Sequence, residues 1–241
     1  MIEPNNKKVL VIIPAYNEEN NIERTINNIK DACPWADCIV INDCSNDSTV
    51  RKLCDMQVDY INLPVNLGIG GAVQAGYQYG VDHDYDITVQ VDGDGQHDSQ
   101  YLESIIAPIL KDEADLVIGS RFIEKEGFQS SRSRRIGIKI LGCLVSLCCW
   151  KRVKDVTSGF RAVNRNFMNV FANDYPQDYP EPESIVAVAM HKGRIKEVPV
   201  ILSQRVSGVS SINLKKSIYY MIKVTLAIIV CRISFGVRRK K

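Results

Sequence analysis

The sequence predicts an α/β fold: a Rossmann-like, mostly parallel sheet flanked by helices. Strand-like and helix-like runs alternate through the first half of the chain, as in successive βαβ units. The strand-like runs are also apolar with little alternation, as in strands covered on both faces.

Val9 to Ile13 is a continuous apolar run that Pro14 stops, and it reads as the first strand. Asn17 is placed to cap the helix that follows, whose Ile22, Ile26 and Ile29 share one face. Cys38 to Ile41 reads as the second strand, Asp43, Ser45 and Asn46 as its exit turn, and Ser48 to Cys54 as a short helix. Tyr60 to Leu63 is a third strand, followed by a helix from about Gly70 to Gly80. Ile87 to Val91 is the fourth strand, running into Asp92-Gly-Asp-Gly-Gln-His. The helix after Ser99 sets Leu102, Ile105, Ile106 and Ile109 on one side, and Pro108 is expected to kink or shorten it. Leu116 to Ile118 is the fifth strand. In such a sheet, ligands bind at the carboxyl ends of the strands.

After Ser120 the pattern changes. Arg132 to Arg135 precede a mostly apolar run, Ile136 to Trp150. Thr157-Ser-Gly-Phe-Arg-Ala follows, then a helix near Phe167 to Phe171. Tyr175 to Glu183 reads as a Pro-rich loop leading into a helix over Ser184 to Lys192, and Ile195 to Leu202 as a strand. Residues 1–211 are expected to form one domain, and 212–241 a basic, apolar extension that meets a membrane surface or a partner. Its longest uncharged run, Val224 to Cys231, lies between Lys223 and Arg232, far short of the roughly 20 apolar residues that cross a bilayer. An interfacial helix with snorkelling basic ends, or a helix packed on the protein itself, fits this pattern.

Charge is unevenly spread. The formal net charge of +2 excludes a strongly basic nucleic-acid binder. It conceals a body, residues 1–197, with 21 basic and 28 acidic groups, followed by a segment with nine basic groups and no acid. A second acid-free stretch, Gly127 to Lys154, holds seven basic residues. Such asymmetry points to an anionic partner, phosphate groups or a membrane surface. The N-terminus MIEPNNKK lacks an apolar h-region and is expected to carry no signal peptide. None of the eight cysteines forms a C-x-x-C pair, so they read as small buried hydrophobes in a reducing compartment.

The chemistry centres on Asp92-Gly93-Asp94-Gly95-Gln96-His97. Residues i and i+2 of an extended chain point the same way, so Asp92, Asp94 and Gln96 can converge. Oxygen ligands at a strand end suit Mg²⁺ or Mn²⁺. An EF-hand count from Asp92 to Glu103 is disfavoured, because His97 stands where the calcium loop turns on Gly. In Pro14-Ala-Tyr-Asn-Glu-Glu, Tyr16 can stack on a base or ribose and Glu18 or Glu19 can accept ribose hydroxyls, with Asp43 nearby for a base edge. Asn66-Leu-Gly-Ile-Gly-Gly-Ala opens a helix whose N–H groups can face an anion. It is neither G-x-G-x-x-G nor a P-loop, which disfavours a dehydrogenase or an ATPase.

These motifs, in this order, with Gly119-Ser-Arg-Phe, Thr157-Ser-Gly-Phe-Arg-Ala and Arg205-Val-Ser-Gly-Val-Ser, resemble the GT-A family 2 glycosyltransferases. The branch they resemble contains dolichol-phosphate mannose synthase and bacterial polyprenyl-phosphate glycosyltransferases. The resemblance spans Val9 to about Ser211. It implies an inverting, metal-dependent transfer from a UDP- or GDP-hexose to a polyprenyl or dolichyl phosphate, at the cytoplasmic face of a membrane. It implies that Pro14, Tyr16, Glu18 and Asp43 hold the nucleoside, Asp92 the donor sugar side, and Asp94 and Gln96 the metal, Mg²⁺ or Mn²⁺. Arg205 would clamp the diphosphate, and Arg121 with Arg134 or Arg135 the acceptor phosphate. The family often carries Lys where Ser211 stands, and its usual trailing membrane helices are not found in this sequence. A small membrane-protein partner is a separate expectation. A hydroxyl acceptor would need a carboxylate base, for which Glu181 and Glu183 are candidates, Glu183 being the one assigned. A nucleotide-sugar-binding subunit without turnover, or a calcium module, is the competing reading.

Overall fold

The computed structural model describes residues 6–124, 126–127, 132–203 and 222–232. Seven strands, β1 (Val9–Ala15), β2 (Asp37–Asn42), β3 (Tyr60–Asn62), β4 (Ile87–Gln90), β5 (Leu116–Ser120), β6 (Arg161–Asn164) and β7 (Ile195–Pro199), form one sheet in the order β3-β2-β1-β4-β6-β5-β7. All neighbours run parallel except β6, which is antiparallel to both β4 and β5. Every residue of β1 is buried, as expected of a strand with helices on both faces.

Alternate residues of β1 feed two cores. Val9, Val11 and Ile13 pack with α1 (Ile22–Ala32), α2 (Thr49–Asp55) and α4 (Leu102–Leu110) through Ile22, Ile26, Leu53, Ile105 and Ile109. Leu10 and Ile12 face α3 (Gly68–Asp82), α5 (Arg132–Cys149), α6 (Arg165–Asn173) and α7 (Pro180–Met190). A helix over 222–232 joins the second core through Val224 and Ile228. Its other side exposes Ile222, Leu226, Ile229 and Val230. It is therefore packed on the protein along one face and apolar on the other. Among the described residues, no helix is long and apolar enough to cross a membrane.

Several local expectations change. Asn17 does not cap α1, which begins five residues beyond it, after Asn21. Asn17 sits at φ 56° and accepts the Asn46 N–H at 2.8 Å. Pro180 opens α7, so Pro-Glu-Pro-Glu is a first helical turn, where a missing N–H costs nothing. Pro108 lies in the last turn of α4, which ends at Leu110. The strand β6 has no counterpart in the sequence reading. The cysteines are all free, but only Cys33 and Cys149 are fully buried, while Cys54 and Cys143 are exposed.

Candidate active site

The carboxyl ends of β1, β2, β4 and β5 bring together Tyr16, Asp43, Asp92, Asp94 and Arg121. Pro14 is buried and Tyr16 is 46 % exposed just beyond it. The loops after β1 and β2 are stitched together. Asn17 N donates to Ser45 Oγ and Glu18 N to Thr49 Oγ1, each at 2.9 Å, and Ser48 N donates to Glu19 Oε2 at 2.9 Å. Glu18 also accepts from Asn21 Nδ2 at 2.8 Å, so both acids of the motif are engaged by neighbouring groups of the chain.

Asp43 is buried, and its carboxylate accepts the N–H groups of Leu67 at 2.7 Å and Gly68 at 2.9 Å. Those donors belong to the start of α3, whose Gly70 N–H goes to Gln177 O at 3.1 Å. The Gly-rich helix start, expected to face an anion, is thus met by a carboxylate and a carbonyl of the chain itself. Asp43 pins the start of α3, a second wall of the site, to the end of β2.

Beyond β4, Asp94 is 6 % exposed and accepts the Gln96 N–H at 3.0 Å across Gly95, which has φ 72°, a conformation glycine adopts without strain. Asp92 is half-buried and accepts from Gln90 Nε2 at 3.0 Å. Its N–H donates to His97 Nδ1 at 3.0 Å, leaving the ring proton on Nε2, 3.8 Å from Asp92 Oδ2. The ring stacks on Phe160 at 4.8 Å. His97 therefore fixes the turn that aims the two acids, a role only its place in the motif signalled. Gln96 Nε2 donates to Ser203 O at 3.2 Å and Ser203 N to Gln96 O at 3.0 Å. Expected as a metal ligand, Gln96 here ties the acidic loop to the segment leading to Arg205. Arg205 itself lies outside the described residues.

Asp92 and Asp94 offer an oxygen-only donor set at a strand end, which fits Mg²⁺ or Mn²⁺ better than a softer metal. Among the described residues, no cluster of three or more His, Cys, Asp or Glu surrounds them.

Arg121 departs from its expected role. Its Nε and Nη2 donate to the Asp155 carboxylate at 2.7 Å each, and Nη2 also donates to Thr157 Oγ1 at 2.9 Å. It is 8 % exposed and Asp155 fully buried. The forked edge that would grip an acceptor phosphate faces a carboxylate instead. Arg135 is half-buried in the first turn of α5, and the side chain of Arg134 lies outside the described residues.

Glu181 and Glu183, two residues apart on α7, face different neighbours. Burial raises the Glu181 carboxyl, Asp92 raises it further, and Arg161 and Arg121 pull it back down. Glu183 is pushed up to about 7 by burial and by Asp178, against the pull of Lys223. Lys223 pairs with Asp178 at 2.5 Å. Glu181 therefore belongs to the Asp92 site, and Glu183 to the contact with the 222–232 helix.

Asp155, Gly159 and Arg161 were missed as site residues. A Cβ on residue 159 would lie 3.0 Å from Asp92 Oδ2 and 3.0 Å from Gln90 Nε2. The signal was present in Thr157-Ser-Gly-Phe-Arg-Ala, but no spacing rule says which strand that loop meets.

The profile of the glycosyl transferase family 2 domain matches residues 10–171. The chain belongs to glycosyl transferase family 2. It is a glycosyltransferase. Relatives of this family 2 chain include the undecaprenyl-phosphate mannosyltransferase of Micrococcus luteus, 29 % identical over 215 residues, 86 % of this chain and 88 % of that one. Another is the UDP-N-acetylglucosamine--dolichyl-phosphate N-acetylglucosaminyltransferase of Methanococcus voltae, 28 % identical over 80 % of this chain and 85 % of that one. The fold matches glucosyl-3-phosphoglycerate synthase from Mycobacterium tuberculosis in complex with Mn²⁺, UDP-glucose and phosphoglyceric acid, with a TM-score of 0.73 and 20 % identity over 94 % of this chain and 80 % of that one. The mostly parallel sheet flanked by helices is thus the GT-A fold.

Proposed function

We propose that this glycosyltransferase moves a hexose from a nucleotide sugar to a polyprenyl or dolichyl phosphate at a membrane surface, with inversion. The acceptor reading rests on α5. Ile136, Ile140 and Leu147 are 57–71 % exposed and recur along one side of that helix, directly after the basic run 132–135, and Trp150, 87 % exposed, follows its last residue. The exposed side of the 222–232 helix carries Ile222, Leu226 and Val230. An apolar stripe beside cations suits an anionic lipid surface.

Tyr16, Pro14, Glu18 and the Asp43-pinned start of α3 bind and orient the nucleoside. A divalent metal, when bound, screens the diphosphate. Asp94, with Asp92 beside it, is the carboxylate that would hold it. Asp92 faces the sugar side, and Arg205 stabilises charge on the departing nucleoside diphosphate. A lipid phosphate monoester, with a second pKa of about 6, is a nucleophile without a protein base. Arg134 and Arg135, in the basic run before Ile136, would be the cations that receive it.

The placement of Glu181 in the field of Asp92 favours a second reading, in which Glu181 deprotonates a hydroxyl acceptor. Radiolabelled UDP- and GDP-hexoses offered with polyprenyl phosphate in anionic vesicles test both. Label in the lipid phosphate supports the first reading. Label in a hydroxyl acceptor alone overturns it in favour of the second.

A further inference from the structure

We propose that Gln90 is a positioning residue for the transfer: its amide aims the Asp92 carboxylate, and the sugar-transfer step depends on that aim. This rests on Asp92 facing the sugar side of the donor, as proposed above, and names what holds it there.

Gln90 ends β4 and is 1 % exposed. Ile12 of β1 and Arg161 of β6 flank it in the sheet. A strand covered on both faces is normally apolar throughout, and burying an amide is costly unless it is bonded. Ile87 and Val89 follow that rule. Gln90 departs from it. Among the described residues its side chain makes one hydrogen bond, from Nε2 to Asp92 Oδ1 at 3.0 Å, and its buried Oε1 makes none. A carboxylate only accepts, so the amide nitrogen is the atom that must face it. For stability alone, an apolar side chain of the same shape would serve as well or better. What the amide adds is a hold on one oxygen of Asp92.

No other side chain supplies that hold. His97 accepts the Asp92 N–H at 3.0 Å, which fixes the backbone of the turn but not the torsions of the acid. The Gly159 backbone closes one side of the carboxylate, since a Cβ there would lie 3.0 Å from both Asp92 Oδ2 and Gln90 Nε2. The Asp92 side chain stays 34 % exposed, so water would solvate it in other orientations. Residues two apart on a strand share a face, and a glutamine is long enough to reach forward from 90 to 92. An asparagine is one methylene shorter.

The test compares wild type, Q90M, Q90N and the double variant Q90M/G159A. Each is assayed for transfer of label from UDP- and GDP-hexoses to polyprenyl phosphate, for binding of UDP and GDP with Mn²⁺, and for thermal unfolding. Q90M keeps length and burial but offers no donor. It is expected to lower kcat by about 10- to 100-fold, with donor KM and nucleoside diphosphate binding within about twofold of wild type and a Tm no lower. Q90N keeps a buried amide that cannot reach Asp92. It is expected to lose as much kcat as Q90M and to melt below it. A merely structural Gln90 would make kcat follow Tm instead. In Q90M/G159A the losses should fall short of their product, because both changes release the same carboxylate. Q90L carries the comparison if Q90M does not fold. Wild-type kcat in the apolar variant or in Q90N overturns the proposal. So does a loss that multiplies fully with that of G159A, or a loss of nucleoside diphosphate binding equal to the loss of kcat. A wild-type protein that transfers from neither donor class overturns the donor reading itself, and this proposal with it.

Discussion

Arg121 and Asp155 meet edge to edge, Nε on Oδ2 and Nη2 on Oδ1, both at 2.7 Å. The Arg121 N–H adds a third bond to Oδ2 at 3.1 Å. The pair fastens the end of β5 to the loop that precedes β6. Removing the cation strands a fully buried carboxylate, so R121M is expected to lose about 3–5 kcal/mol of stability. Urea unfolding measures this. A loss under about 1 kcal/mol, the range of an exposed pair, would show that the pair is not buried in solution.

Asp43 meets two backbone donors at the start of α3. D43A leaves them unmet, which typically costs about 1–3 kcal/mol per buried group, and D43N keeps one acceptor. Thermal unfolding is expected to rank wild type above D43N and D43N above D43A. Nucleotide affinity should fall in the same order, since Asp43 shapes that wall.

Asp94 is expected to govern metal demand. Losing even an outer partner of a metal site costs about 10- to 100-fold in affinity, and D94N should cost at least as much. Chelation should stop transfer by the wild type, and Mn²⁺ should restore it. Restoration of D94N at the wild-type Mn²⁺ concentration would exclude Asp94 as a ligand.

Glu183 sets a pH dependence of stability. Its folded carboxyl is held up to about 7, above the ordinary value of 4.5. In that window the folded state binds more proton than the unfolded state, so the contribution is full at low pH and is lost as pH rises through 7. E183Q should therefore lose less stability than wild type between pH 5 and pH 8. Parallel Tm profiles would disprove this.

Gly159 lies against Asp92. G159A places a methyl 3.0 Å from its Oδ2, so Asp92 must shift. A fall in kcat of about 10-fold or more is expected, since misplacing a reacting group by about 1 Å costs up to 100-fold. Nucleoside diphosphate binding should be retained. An unchanged kcat would mean that Asp92 does not need this placement.

The N-terminal half was the legible half. Residues 9–94 alternate strands and helices with strong apolar runs, so β1, β2 and β4 and the acids at their ends follow from period and turn chemistry. The other half resisted for particular reasons. β6 is four residues long and starts with an arginine, which no pattern places at the centre of a sheet. Pro180 and Pro182 read as a loop, whereas proline is welcome in a first helical turn. Glu181 and Glu183 are equivalent by composition. Only the direction of α7 separates the one beside Asp92 from the one beside Lys223.

The reversed direction of β6 has a consequence for how the catalyst can be altered. A strand running against its neighbours delivers the loop before it, not after it, to the shared edge, so residues 155–159 arrive beside Asp92 and, after α6, Glu181 follows on the same side. The wall proposed to hold the nucleoside is encoded upstream of residue 95, and the facing wall in one later block from about Arg121 to Ser184. On that proposal, sugar and acceptor preference are expected to transfer between relatives as a single block, provided that Arg161 travels with both the loop and the helix it joins.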